Sequence, residues 1–305
     1  MVSLSNVMSS TTQGKVLLTG ADGFTGQYVR AELEQAGYTV VATSTRMAAG
    51  RNQYPLDITS LEDCRSVIEA ERPDFLIHLA AISFVQHADA AAFYHVNVVG
   101  TTNLLQAMVD AGVTPRSVIL ASSANVYGNA PTGVISETQA PQPVNHYATS
   151  KVAMEYMART WTDRLPIAIT RPFNYTGVGQ PAHFLVPKIV SHFARRAPMI
   201  ELGNLDVERD FSDVRTVAHI YRCLLEKDCA GQTVNICSGR PYALHQIIEI
   251  MQAAAGYEIE VRVNPAFVRQ SEVKTLIGST ARLHELLGSV EGPPLAETLC
   301  WMLKA

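Results

Sequence analysis

Residues 15–33 read KVLLTGADGFTGQYVRAEL, and the order of features in that stretch sets the fold. Lys15–Thr19 is short and apolar enough for a buried strand. Gly20, Gly23 and Gly26 follow at intervals of three, and Phe24–Glu34 then reads as a helix with an apolar face. Glycines are required where a chain turns sharply, where backbone must approach a pyrophosphate, and where a helix packs closely on a sheet. The helix start adds free N–H groups and the positive end of its dipole. Such a turn by itself is also compatible with an ordinary tight turn. The strand–turn–helix context makes a dinucleotide the better reading, with Gly20, Gly23, Phe24 and Gly26 around its phosphates.

Beyond that unit, strands and helices alternate. Val16–Thr19, Thr39–Thr43, Phe75–Leu79, Ser117–Ala121 and Ile167–Thr170 read as strands, and Phe24–Ala36, Leu61–Glu71, Ala88–Ala111 and His146–Arg164 as helices. The alternation predicts an α/β protein with a parallel, doubly wound sheet. Pro73 and Pro115 each stand just before a strand, where a helix must already have ended. After Pro172 the pattern changes. Proline, glycine and polar residues fill 174–187, Lys188–Arg195 reads as a helix, MIELGN (199–204) as a short strand, and ERDFSDVRTVAHIYRCLL (208–225) opens another helix.

Chemistry is carried by SSANVYG (122–128) and YATSK (147–151). Tyr147 and Lys151 are four residues apart and so share a helix face. A cation beside a phenol favours the phenolate, and the expectation is a Tyr147 pKa lowered towards the working pH. A serine hydroxyl from Ser123 alongside them would hold a substrate oxygen. That is equipment for moving a proton while a hydride moves on or off the adjacent carbon.

The glycine turn and the Ser/Tyr/Lys set together resemble the extended short-chain dehydrogenase/reductase family. HLAA (78–81), NVVGTTNLL (97–105) and RPFNYTGVGQ (171–180) match it in order, so the likeness runs from about Lys15 to the C-terminal helix. The resemblance implies a Rossmann domain over 1–173, rejoined by about 214–236, and a smaller nucleotide-sugar-binding domain from 174–213 and 237–305. It implies Ser123, Tyr147 and Lys151 as the catalytic set, with Tyr147 and Lys151 also against the cofactor. Further cofactor contacts implied are Thr45, Arg46, Asp57 and Ile58, then Leu79, Ala80 and Ala81, then Ala121 and Pro172. In this family the helices equivalent to those around Ala91–Met108 and Ser150–Trp161 often pair across a dimer axis, so a homodimer is expected. The bland alternative is that they only cover the sheet.

The end of the second strand bears on the cofactor. A carboxylate there accepts from the adenosine ribose hydroxyls and repels a 2′-phosphate. The chain reads VVATSTRMAAGR (40–51), with no acid before Asp57, and Ser44, Thr45, Arg46 and Arg51 available instead. Hydroxyls and a guanidinium suit a phosphate dianion. NADPH is the expected cofactor, with NADH the alternative, and Arg46 as a solvated loop residue the bland reading.

Absent residues separate the reactions this family performs. Its 4,6-dehydratases place acids directly after the catalytic hydroxyl residue, where this chain has Ala124 and Asn125. The dual epimerase/reductases place a cysteine beside the serine, and Ala124 stands in that neighbourhood. A 4-ketoreductase needs only the triad and NADPH, and a C4-epimerase needs the triad with retained NAD. The missing acid after the second strand favours the reductase. Likeness in the C-terminal half implies reduction of a nucleotide-linked 4-keto-6-deoxy sugar, GDP-4-keto-6-deoxy-D-mannose to GDP-D-rhamnose first, with dTDP- or UDP-linked sugars open. It implies Asn174, Arg209 and Arg269 on the diphosphate, Lys188 along the nucleotide pocket, and Glu272 on ribose hydroxyls or on an arginine. Ser83 and Phe84 are weaker candidates for the sugar, and Asn97 is expected to be a structural pin. Each arginine could instead form an ordinary surface ion pair.

Composition excludes other classes. The chain has 305 residues, 47% of them hydrophobic, and a formal net charge of −4 with both signs dispersed. That disfavours a nucleic-acid or anionic-membrane footprint. Apolar runs stop short of a membrane span, and residues 1–12 lack the charge and apolar core of a signal peptide. The five cysteines form no CxxC and no Cys/His ligand spacing, which points to free thiols and a cytoplasmic protein. His87 and His95 are eight apart, too far for one tetrahedral site, and His78 in its apolar strand reads as a core histidine, so no metal is expected. A non-catalytic cofactor-sensing protein would have no use for the tyrosine and lysine, and both are present.

Overall fold

A computed structural model describes residues 13–46, 50–83, 89–129, 133–205, 207–267 and 275–305. In the first half the chain runs β1 (Lys15–Thr19), α1 (Phe24–Gln35), β2 (Thr39–Ser44), β3 (Gln53–Pro55), α2 (Leu61–Glu71), β4 (Phe75–His78), α3 (Ala90–Tyr94), α4 (Thr101–Asp110) and β5 (Ser117–Ala121). Then come β6 (Val134–Ile135), α5 (His146–Arg159), β7 (Ile167–Pro172), β8 (Asn174–Thr176), α6 (Leu185–Ala194), β9 (Met199–Leu202), β10 (Glu208–Asp213), α7 (Val214–Leu225) and β11 (Thr233–Ile236). The last elements are β12 (Pro241–Ala243), α8 (Leu244–Ala255), β13 (Glu260–Val263), β14 (Thr275–Gly278), α9 (Ala281–Leu287) and α10 (Leu295–Lys304).

The large sheet has the order β3-β2-β1-β4-β5-β7-β11 among the described residues, and every pairing in it is parallel. This is a Rossmann arrangement whose strand order reverses at the β1/β4 crevice, outside the carboxyl ends of the strands. Strand periodicity explains the apolar runs. Val16 and Leu18 of β1 pack with α1 and α7, whereas Leu17 packs with α2 and α4 on the opposite face. A strand covered on both faces has no polar side to alternate. Each of these side chains is fully buried, and burial of one Leu or Val contributes about 1.5–3 kcal/mol.

Helices differ from expectation in three places. The 88–111 helix is interrupted: α3 ends at Tyr94, a wide π turn covers His95–Gly100, and α4 resumes at Thr101. Inside that turn buried Asn97 accepts from Ile82 N (3.0 Å) and donates to Ser150 Oγ (2.9 Å). The helix expected to reach Arg164 stops at Arg159, where Thr160 and Trp161 turn their N–H groups back by three residues. In the 208–225 stretch only the second part is helical, because Glu208–Asp213 is a strand.

Strands outside the large sheet build a second one. Its order is β12-β10-β14-β6, and β8 also pairs with β10. A separate pair, β9 with β13, lies in the same lobe, whose core is closed by α6, α8 and α10. Asp210 of β10 is wholly buried and ties three segments together. It accepts from Ser238 N (2.8 Å) and Oγ (2.7 Å), Gly239 N (2.7 Å) and Gly278 N (3.4 Å). Burial pushes its pKa up, against those four donors. The chain crosses out of the large sheet after β7, returns to it through α7 and β11, and leaves again.

Candidate active site

The β1–α1 turn is built for close approach. Gly20 has φ +69°, and a Cβ there would sit 2.9 Å from Ala80 N. A Cβ on Gly26 would sit 2.1 Å from Gly20 O, inside any permitted contact, so only glycine lets α1 begin this close to the strand end. Gly23 caps α1 without a side-chain hydrogen bond, and no acid stands in its first turn. The helix start therefore presents N–H groups with no carboxylate of its own to take them. Phe24 stacks on Tyr175 with ring centroids 6.1 Å apart, and Thr25 Oγ1 hydrogen-bonds Tyr175 Oη at 2.7 Å, joining the turn to β8.

Across the crevice, the turn after β4 is fixed by Thr19, whose carbonyl accepts from Leu79 N and whose Oγ1 accepts from Ala80 N at 3.2 Å. Leu79, Ala80 and Ala81 are half-buried here. His78 bridges Thr19 Oγ1 (2.7 Å) and Thr101 Oγ1 (3.0 Å), and burial, reinforced by Lys151, pulls its pKa down to about 3. It is a satisfied neutral core histidine. Thr45 and Arg46 follow β2 on the surface; Arg46 Nε reaches Asp22 Oδ2 of the glycine turn at 3.2 Å. Ile58 is buried, while exposed Asp57 uses Oδ1 on Thr59 N and Oγ1.

Ser123, Tyr147 and Lys151 converge at the carboxyl end of β5. Ser123 is extended and caps a short 3₁₀ turn, Ala124–Tyr127, accepting from Asn125 N (3.2 Å) and Nδ2 (3.3 Å). Tyr147 and Lys151 lie on α5, which Asn145 starts by accepting from Ala148 N at 2.8 Å. All three are buried. The Tyr147 phenol faces Ser123, which favours its phenolate form, and Lys151 Nζ donates to Ala121 O at 2.7 Å.

The expected lowering of the tyrosine pKa is not what this geometry gives. Burial pushes Tyr147 up to about 12, and Ser123 only partly opposes it. Burial also brings Lys151 down to about 8, with Glu155 working in the opposite direction. The reason is desolvation: the phenolate and the ammonium are both taken out of water, and the ammonium is spent on a neutral carbonyl. At neutral pH the phenol keeps its proton, which is the form that can donate one.

Residues expected on the sugar nucleotide are more scattered. Asn174 Nδ2 donates to Asp210 O at 3.4 Å, across the β8–β10 pair. Lys188 Nζ donates to Glu201 O at 2.7 Å and lies 4.5 Å from the centre of the Phe267 ring. Arg209 lies on β10 opposite Tyr242 and donates to Glu208 O at 2.9 Å. Ser83 is exposed just past the β4 turn, and Pro172 is buried at the end of β7. Arg269, Glu272, Phe84 and His87 lie outside the described residues.

Sequence reasoning passed over two residues here. Ser122, beside Ser123, is buried, and its Oγ is the sole buried side-chain polar atom without a hydrogen-bond partner among the described residues. Tyr175 is half-buried, hydrogen-bonded to Thr25 of the glycine turn and near enough to Tyr147 to disfavour its phenolate. The doubled serine was visible in the sequence; nothing local marked Tyr175.

A parallel sheet with this strand order, a glycine turn at its first crevice and a buried Ser–Tyr–Lys set at the next strand end define a short-chain dehydrogenase/reductase of the extended kind. The profile of the NAD dependent epimerase/dehydratase family matches residues 16–237, and the chain belongs to that family. Among curated relatives, a GDP-6-deoxy-D-talose 4-dehydrogenase from Aggregatibacter actinomycetemcomitans is 37% identical over 90% of this chain and 92% of its own. A GDP-6-deoxy-D-mannose reductase from Pseudomonas aeruginosa is 34% identical over 90% and 91%. Among solved structures, RMD from Pseudomonas aeruginosa complexed with NADPH has a TM-score of 0.85 and 31% identity, covering 95% of this chain and 98% of its own. A candidate epimerase from Burkholderia cenocepacia J2315 reaches 0.90 and 47%, covering 96% and 98%. Among the described residues no helix is long and apolar enough to cross a membrane.

Proposed function

We propose that the chain reduces the 4-keto group of a GDP-linked 4-keto-6-deoxyhexose, using NADPH. The observation that carries this reading is the Ser123–Tyr147–Lys151 set, with a protonated Tyr147 and no acid at the two positions after Ser123. Ala124 is buried and Asn125 is committed to Ser123, so the extra acid and base of a dehydration are absent from that turn.

The residues present fit a dinucleotide. Gly20, Gly23 and Gly26 leave room beside an uncapped helix start, and the orphaned Ser122 hydroxyl stands at the strand end where a ligand would meet it. Gly20, Gly23, Phe24 and Gly26 would line the phosphates, with Leu79, Ala80, Ala81, Ala121 and Pro172 along the nicotinamide side. Thr45 and Arg46 would take the 2′-phosphate, and Asp57 and Ile58 the adenine. When bound, the reduced nicotinamide supplies the hydride. Ser123 holds the ketone oxygen, Tyr147 gives that oxygen its proton, and the Lys151 charge stabilises the phenolate left behind. Asn174, Arg209 and Lys188, with Arg269 and Glu272, would hold the GDP portion in the lobe formed by 174–213 and 237–305. Homodimer formation through α4 and α5 belongs to the same reading.

Two products are possible at C4. Likeness in the C-terminal half implies GDP-D-rhamnose, and the 34% relative named as a GDP-6-deoxy-D-mannose reductase accords with it. The 37% relative is named for the talose epimer, which supports GDP-6-deoxy-D-talose as the second reading. The test is loss of NADPH absorbance with freshly made GDP-4-keto-6-deoxy-D-mannose, followed by NMR of the sugar at C4. Absence of oxidation with NADPH or NADH, together with interconversion of C4 epimers by bound NAD, would replace the reductase by an epimerase, as in the more distant UDP-glucose 4-epimerases.

A further inference from the structure

Behind the Ser–Tyr–Lys set lies a buried ion pair that the proposed chemistry does not use. Arg171 of β7 donates to Glu155 from Nε (2.9 Å) and Nη2 (2.6 Å), and the side chains are 3% and 2% exposed. Glu155 is on α5, one turn beyond Lys151 and two beyond Tyr147. On its other side the guanidinium lies 4.8 Å from the centre of the Tyr127 ring. Tyr127 closes the 3₁₀ turn that Ser123 opens, and its hydroxyl donates to Asn235 Oδ1 at 2.6 Å. Asn235 stands directly opposite Arg171 in the β11–β7 register. One planar cation thus touches both carriers of the catalytic groups: the helix of Tyr147 and Lys151, and the turn of Ser123.

Such a pair contributes little to stability. Desolvating two ions costs several kcal/mol, and apolar replacements of similar size are often neutral or stabilising. What a bidentate fork with a stacked ring does supply is fixed direction and distance. We propose that Glu155 and Arg171 are positioning residues, a clamp that sets the spacing between Ser123 and Tyr147 by locking α5 and the Ala124–Tyr127 turn onto β7. The inference rests on the proposed keto reduction for its kinetic arm only; its structural arm does not depend on the substrate.

The test replaces the pair by apolar groups, Glu155→Leu with Arg171→Met, and compares crystal structures, melting, NADPH titration and kinetics. The clamp predicts a folded protein melting at or above the wild-type temperature and NADPH affinity within about twofold. It also predicts a wider Ser123–Tyr147 spacing than in the wild type, and a kcat reduced about 10- to 100-fold with KM little changed, the scale of a displacement near 1 Å. An unchanged Ser123–Tyr147 spacing overturns the proposal, as does a widened spacing with unchanged kcat. If the double variant does not fold, Glu155→Gln carries the test: a several-fold loss of kcat at constant NADPH affinity supports the clamp, and wild-type kcat overturns it. Should the wild-type protein leave the GDP-linked ketone untouched while the double variant shows the widened spacing, the proposed substrate fails and the clamp stands.

Discussion

The two halves of the crevice are made differently. On the large-sheet side, residues fall at strand ends, and each short signal in the sequence carries its own place: a glycine turn after β1, a serine after β5, a tyrosine and a lysine one turn apart on α5. On the other side, the lobe is assembled from segments between 134 and 304, and the polar residues expected to meet ligand already hold their own backbone. Asn174 ties β8 to β10, and Lys188 holds the β9 carbonyl of Glu201. A site on strand ends is specified by local sequence, while a site between lobes is specified by pairings that no short stretch contains.

Tyr147→Phe should break the catalytic side most severely. It removes the proton donor and leaves the fold, so kcat should fall about 10²- to 10⁴-fold while NADPH affinity stays within a few-fold by fluorescence titration. Retained turnover would move the chemistry elsewhere. Gly26→Val comes next, because its Cβ would meet Gly20 O at 2.1 Å. Overpacking of this kind costs about 1–3 kcal/mol, read as a lower melting temperature with NADPH binding lost in the same variant.

How much was legible divides along the same line. The parallel α/β alternation and the core role of His78 follow from periodicity, because a parallel strand covered on both faces shows itself as an unbroken apolar run. The shared face of Tyr147 and Lys151 follows from spacing, and their grouping with Ser123 as a catalytic set from the family resemblance. The interruption of the 88–111 helix was hidden: Asn97 looks like any polar residue in a helix until Ile82 and Ser150 are seen to be its partners. The strand at 208–213 was hidden too. ERDFSD carries no alternation to mark it, since the buried Asp210 carboxylate replaces an apolar contact with four hydrogen bonds. The direction of the Tyr147 shift was missed because spacing reports the neighbouring charge and is silent on desolvation.

The pH dependence sharpens the catalytic side further. Lys151 has a folded pKa of about 8 against an ordinary 10.5, and its charged form is the useful one. The kcat/KM for NADPH, which reports the groups of the free enzyme, should therefore fall as pH rises through about 8. The stability term runs the other way. Between 8 and 10.5 the unfolded chain holds the lysine proton that the folded chain has lost, so this residue's contribution to stability grows with pH. The buried thiols Cys64 and Cys229, raised to about 12 and about 11, oppose it above their ordinary value of 9. A pH–rate profile set beside melting curves between pH 7 and 9 separates the two, and a flat rate across pH 8 would remove Lys151 from the rate equation.

The smallest effects should come from residues away from the catalytic set. Arg46→Ala would alter the preference for NADPH over NADH by several-fold through loss of one exposed cation, measured as the ratio of kcat/KM values. Lys188→Met should cost about 1 kcal/mol of stability, one hydrogen bond to a backbone carbonyl. As a contact to GDP, its loss should also raise KM for the sugar nucleotide several-fold; an unchanged KM would leave the lysine only as a brace for Glu201.

The Asp210 knot also bears on the order in which the molecule can be made. Its donors lie 28, 29 and 68 residues downstream, at Ser238, Gly239 and Gly278, and β14 must then reach back to β6 at Val134–Ile135. A chain leaving the ribosome can complete β1 to β5 early, but residue 278 has to emerge before the second sheet closes. Until then Asp210 is an ordinary hydrated carboxylate, and the apolar faces of β8 and β10 have no cover. The lobe proposed to grip the sugar nucleotide is thus the last part of the protein to come into existence during synthesis.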